Sequence, residues 1–140
     1  MHNVFTYGSL MFEDVWQKVV RGKYAKLDGV LSGYNRRAVK NEEYPALVKG
    51  DTDDKVGGVV YKDVSLEDIQ RLDTFEGIYY KRQTEQVLLP GNQLLSVVFY
   101  LLKPEYHHIL SNHRWNLENF KREGIHEFLD KYGGFGDIKN

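Results

Sequence analysis

The stretch L-D-T-F-E-G at residues 72–77 sets a carboxylate where an apolar side chain belongs. Upstream, Val64-Ser65-Leu66-Glu67-Asp68 marks a helix start: Ser65 can accept from the Asp68 amide, and two acids sit in the positive first turn. Gly77 can end that helix. Leu66, Ile69 and Leu72 form its apolar face, with Glu67, Gln70, Arg71 and Thr74 opposite. At roughly 100° per residue, Glu76 projects about 20° from Ile69, near the middle of the apolar face. Burial without a partner drives a carboxyl pKa towards neutrality, where one group both accepts and donates a proton. The competing reading is that the helix ends before Glu76 and the side chain reaches water. Asp73, four residues after Ile69, reads foremost as a salt-bridge partner of Arg82 or Arg71, and otherwise as a second polar group at the same site.

A second candidate is T-Y-G-S-L at residues 6–10, which joins a strand directly to a helix. Glycine there permits positive φ and close approach to the backbone. The amides of Ser9, Leu10 and Met11 would lie near a helix N-terminus, a seat for a carboxylate or a developing oxyanion. An ordinary strand-to-helix turn uses the same residue types. Ser9 is not set in G-x-S-x-G, and no histidine is assignable as its base. His2, His107, His108, His113 and His126 show no metal-ligand spacing, and Arg36-Arg37 reads as a solvated strand end.

The elements around these residues follow from periodicity. N-V-F-T-Y at 3–7 reads as a strand, and apolar residues from Leu10 to Val20 recur at helical spacing before Gly22. Short extended runs cover 25–39, 44–50 and 55–64. R-Q-T-E-Q-V-L-L at 82–89 and L-L-S-V-V-F-Y-L-L at 94–102 flank P-G-N and predict a hairpin, its second arm apolar on both faces and hence central. After Pro104, Trp115, Phe120, Ile125, Phe128, Leu129 and Tyr132 predict helical packing on the sheet, stopped by Gly133-Gly134. The expected class is α+β: a small, mostly antiparallel β-barrel flanked by helices, formed by residues 1–140 as one domain.

The chain has 140 residues, 41% apolar and 28% charged, with a formal net charge of -1. That is globular usage, and a near-zero charge excludes general attraction to nucleic acid or anionic membrane. Without cysteine there is no disulfide, no thiolate nucleophile and no Cys-ligated zinc. No leader pattern or long apolar run appears, so a soluble cytoplasmic protein, monomeric or homodimeric, is expected.

Together, Y-G-S-L after an N-terminal strand, Y-P-A-L at 44–47, V-G-G-V-V-Y at 56–61 and L-D-T-F-E-G-I-Y-Y-K-R at 72–82 resemble the γ-glutamylcyclotransferase-like superfamily, particularly its AIG2-like and γ-glutamylamine cyclotransferase branch. S-N-H-R-W at 111–115 is similar to that family's late tryptophan segment. The resemblance spans almost the whole chain and implies a pocket in which Tyr7, Gly8, Ser9 and Leu10 hold a glutamyl group while Glu76 is the acid/base. It implies cyclisation of a γ-glutamyl amine or amino acid to 5-oxoproline with release of the amine, an acyltransferase- or lyase-type reaction needing no metal or organic cofactor. Tyr80 is then set to hydrogen-bond the substrate or brace Glu76, or is a core tyrosine. Tyr44 lines the same mouth or is a packing element. Met11 and Phe12 stand where the glutathione-degrading branch carries tryptophan, so glutathione is not the first substrate expected. The alternative function is a non-catalytic small-molecule-binding or interaction domain of the same fold.

Overall fold

In a computed structural model of the chain, residues 2–40, 42 and 44–124 are described. The element order is β1 (His2–Thr6), α1 (Glu13–Val19), β2 (Lys26–Ser32), β3 (Tyr34–Val39), β4 (Pro45–Lys49), β5 (Lys55–Val64), α2 (Leu66–Glu76), β6 (Tyr80–Leu89), β7 (Gln93–Leu102), β8 (Leu110–Arg114) and α3 (Leu117–Asn119). Five strands close a barrel in the order β1-β5-β2-β6-β7, and β4-β3-β8 form a second sheet. All barrel pairings are antiparallel except the closure of β1 on β7, which is parallel at Val4 and Val98.

The β6–β7 hairpin turns at Pro90-Gly91-Asn92, with Gly91 at φ 85° and Asn92 at φ 64°, and runs in unbroken register from Leu89↔Gln93 to Tyr80↔Leu102. Strand β7 is apolar on both faces because each face meets a different core. Val97, Phe99 and Leu101 fill the barrel with Phe5, Leu31 and Val60, whereas Val98 and Tyr100 pack beneath the helices with Trp16, Ile69 and Leu72. In the second cluster Trp16 stacks on Tyr61 with ring centroids 3.7 Å apart, and this contact ties α1 to β5. Among the described residues, no helix is long and apolar enough to cross a membrane.

Three expectations differ. The first helix does not run continuously from Leu10: a 3-10 turn spans Ser9–Met11, and α1 starts after Phe12. Phe12 takes extended backbone (φ -89°, ψ 127°) and its ring packs on Phe120 at 5.3 Å. Leu66, expected on the buried face of α2, is 59% exposed, whereas Ile69 and Leu72 are buried. Beyond Pro104, a 3-10 segment and strand β8 come first, and the expected helix begins only at Leu117, continuing through Phe120–Gly124. The edge of β3 not taken by β4 must pair its backbone groups, and β8 supplies them through Arg37↔Arg114 and Val39↔Leu110. The expected helical positions Ile125, Phe128, Leu129 and Tyr132, the stop at Gly133-Gly134, and His126 lie outside the described residues.

Candidate active site

Helix α2 begins as its sequence dictates, with Ser65 Oγ accepting from the Asp68 amide at 3.2 Å. It includes Glu76 as its last residue and ends at Gly77, whose φ of 76° and ψ of -161° lie in a region open almost only to glycine. The helix therefore does not fray before Glu76. The residue is half-buried, lining a cavity of about 160 Å³. Among the described residues, no hydrogen bond or ion pair reaches its carboxylate. Burial, followed by the negative charge of Asp73, pushes the Glu76 carboxyl from 4.5 up to about 8. Although the side chain is not fully enclosed, the protein around it removes enough solvent to oppose ionisation.

Asp68, two turns earlier on the same helix, shows the opposite outcome. Burial alone would raise its carboxyl, but hydrogen bonds from Tyr24, the Arg21 and Gly22 amides and Arg71 outweigh that and hold it below its ordinary value. One helix thus carries two carboxyls shifted in opposite directions, Asp68 downward by its hydrogen bonds and Glu76 upward by burial. Asp73 pairs with Arg82 at 2.7 Å, as expected for one of its two candidate partners, while Arg71 pairs with Asp68. Asp73 also accepts from the Tyr100 hydroxyl at 2.7 Å.

The loop after β1 is held by its carbonyls. Arg36 Nη1 donates to the Tyr7 carbonyl at 2.9 Å and the Met11 amide to that of Gly8 at 3.0 Å. The Phe12 amide donates to the Ser9 carbonyl at 3.1 Å and the Tyr61 hydroxyl to that of Leu10 at 3.1 Å. Four consecutive acceptors are thus engaged. Among the described residues, no hydrogen bond engages the N–H of Ser9 or Leu10, so two adjacent donors remain for a ligand. The Met11 amide, expected to join them, is used inside the turn. Gly8 has φ -144°, not the positive value its type allows. Glycine is needed there because an added Cβ would come within 2.6 Å of the Pro45 ring.

Tyr7, Gly8, Ser9, Leu10, Tyr44, Glu76 and Tyr80 all line the cavity. The Tyr7 hydroxyl donates to the Tyr100 carbonyl at 2.6 Å, and burial, then the charges of Glu76 and Tyr80, raise its pKa well above the ordinary value. Phe75, Tyr79, Tyr100 and Pro45 complete much of the wall without having been foreseen. Tyr100 had a signal: counting back from the P-G-N turn sets it opposite Arg82. Arg36 corrects the sequence reading outright. It is no solvated strand end, since it also donates to the Gly57 carbonyl at 3.3 Å and lies 5.2 Å from the Trp115 ring centroid. Among the described residues, no lysine, arginine or histidine lines the cavity, and no group of three or more His, Asp or Glu is arranged to hold a metal ion.

Comparison with known proteins gives concordant results. The family described as gamma-glutamyl cyclotransferase, AIG2-like, matches residues 4–117. AIG2-like protein D of Arabidopsis thaliana is 29% identical over 143 residues, covering 100% of this chain and 92% of the relative. A solution structure from Arabidopsis thaliana superposes with a TM-score of 0.72 at 26% identity, covering 99% of this chain and 83% of that one. An AIG2-like protein from Mus musculus, 21% identical over 91% of this chain and 92% of its own, superposes with a TM-score of 0.61 and shares the fold.

Proposed function

Because this chain belongs to the AIG2-like gamma-glutamyl cyclotransferase family, we propose that it cyclises the γ-glutamyl group of a γ-glutamyl amine to 5-oxoproline and releases the amine. One observation carries the reading: an unpaired carboxyl, Glu76, pushed up to about 8, shares a cavity with two unengaged backbone donors. A group titrating there is matched to an α-ammonium, so little energy is lost in moving a proton between them.

The α-ammonium entering beside Glu76 favours its ionised form, and the carboxylate then takes a proton from that nitrogen. The freed amine attacks the γ-carbonyl carbon and closes a five-membered ring. Nucleophile and electrophile belong to one molecule, which supplies much of the orientation an enzyme must otherwise arrange. The Ser9 and Leu10 amides stabilise the oxyanion. Collapse breaks the bond to the departing nitrogen as Glu76 returns a proton to it. Two protons in all pass from the α-nitrogen to the leaving amine, and Glu76 can carry each in turn. No water is consumed.

Cavities of ~150 Å³ hold a benzene-sized molecule, so about 160 Å³ is of the order of the compact ring that forms. The aromatic wall of Tyr44, Phe75 and Tyr79, with no lining cation among the described residues, supports a leaving group without a carboxylate. The test is release of 5-oxoproline from γ-glutamyl amines, γ-glutamyl dipeptides, γ-glutamyl-ε-lysine and glutathione. Turnover should be fastest for uncharged amines and fall at least ~100-fold in Glu76→Gln. Near-wild-type turnover in that variant would remove Glu76 from the chemistry, and silence across the panel with folded protein would favour a binding domain of the same fold.

A further inference from the structure

Asp73, Arg82 and Tyr100 are left unused by the mechanism above, yet they meet on one side of α2. Asp73 precedes Glu76 by three residues on this helix, which sets their Cβ atoms about 5–6 Å apart. Unlike Glu76 it is paired twice, accepting from Arg82 Nη1 at 2.7 Å on one oxygen and from the Tyr100 hydroxyl at 2.7 Å on the other. Arg82 and Tyr100 are directly opposed in the β6–β7 register, so one rung of the hairpin supplies both donors. Tyr100 lines the cavity and its carbonyl accepts the Tyr7 hydroxyl at 2.6 Å, whereas Asp73 is not among the lining residues. A continuous path therefore runs from Asp73 through Tyr100 to Tyr7 and the loop that carries the two free amides.

A partly exposed ion pair contributes little to stability, and a like charge one turn from a desolvated carboxyl is unfavourable. The arrangement is better explained by what it does to its neighbour. We propose that Asp73 is a positioning residue for the cyclisation described above: clamped by Arg82 and Tyr100, it keeps a second negative charge beside Glu76 without entering the cavity, and holds the Tyr100 wall against Tyr7. The electrostatics agree, since burial and then Asp73 act on Glu76 in the same direction. The groups facing Glu76 are Asp73 on its own helix, Tyr7 from the end of β1, Tyr80 from the start of β6 and Tyr100 from β7, with Arg82 facing Asp73 from β6. Of these, Asp73 and Arg82 form an ion pair, and these two set the direction.

The experiment is a ¹³C-carboxyl NMR titration of Glu76 in the wild type, Asp73→Asn and Arg82→Gln, the Glu76 signal being assigned by its loss in Glu76→Gln. In Asp73→Asn the midpoint should fall by about one pH unit, and the acid limb of kcat/KM should move down with it. In Arg82→Gln, which keeps Asp73 and removes its counter-charge, the midpoint should rise. A merely structural role would lower the melting temperature and leave the midpoint where it is, which overturns the proposal. Should Asp73→Asn fail to fold, Arg82→Gln decides alone, and an unmoved midpoint overturns it. A shifted midpoint in a protein that turns over no γ-glutamyl compound would sink the cyclisation and leave the coupling standing. Turnover with an unmoved limb would do the reverse.

Discussion

Glu76 carries an energetic consequence that can be measured without a substrate. Its folded pKa of about 8 exceeds the 4.5 of an ordinary glutamate, so the folded chain binds its proton more tightly than the unfolded chain does. The group costs nothing below pH 4.5, and its penalty grows as pH rises through about 8. At about 1.4 kcal/mol per unit, discounted for water reaching the carboxyl through the cavity mouth, the full penalty is on the order of 3 kcal/mol. Glu76→Gln should therefore be more stable than the wild type by roughly that amount above pH 8 and nearly equal to it at pH 4, in urea unfolding across a pH series. A difference independent of pH would mean the carboxyl is solvated. Asp68 contributes in the opposite sense, its stabilisation being present above its unfolded value of 3.8 and lost on further acidification.

Among the elements, α2 matters most because its C-terminus aims the carboxyl. Gly77 stops the helix one residue after Glu76, its amide donating to the Asp73 carbonyl, and its backbone geometry strains any residue with a Cβ although the space around it is open. Gly77→Ala should cost about 1–3 kcal/mol by thermal or urea unfolding. It should also lower kcat more than Tm alone explains, because the last turn must shift to relieve the strain. Unchanged stability would show that the local backbone adapts freely. The β6–β7 hairpin acts as the counterpart of α2, since its unbroken register brings Arg82 and Tyr100 to the same carboxylate.

At the scale of the whole molecule, the barrel holds the helices and the β4-β3-β8 sheet braces the loop. Arg36 on β3 donates to the carbonyls of Tyr7 and Gly57 while stacking near Trp115, which follows β8. Pro45 at the start of β4 packs against Gly8. The loop is thus gripped from a sheet that, among the described residues, contributes no acid or base to the cavity. Arg36→Gln should lower kcat/KM by roughly 10- to 100-fold, since small misplacements of an orienting group have effects of that size, while circular dichroism stays native. Wild-type kinetics in that variant would show that the loop keeps its shape unaided.

The positions that mattered locally were legible from residue types and spacing. Ser65, Ile69, Leu72 and Gly77 define a helix on which Glu76 falls near the middle of the apolar face, and P-G-N sets a hairpin whose pairing can be counted. The family resemblance drawn from Y-G-S-L, Y-P-A-L and L-D-T-F-E-G was equally a matter of local segments and their order. Tertiary structure decided what depends on distant backbone meeting. It turned the Arg36 side chain from solvent to the Tyr7 carbonyl, made a strand of residues 110–114 because β3 had an edge to satisfy, used the Met11 amide within a turn, and brought Tyr100 to Asp73. Periodicity reports which face of an element is buried, since that follows from local geometry alone. Which partner it is buried against depends on how the barrel closes, and closure is set by all five strands together.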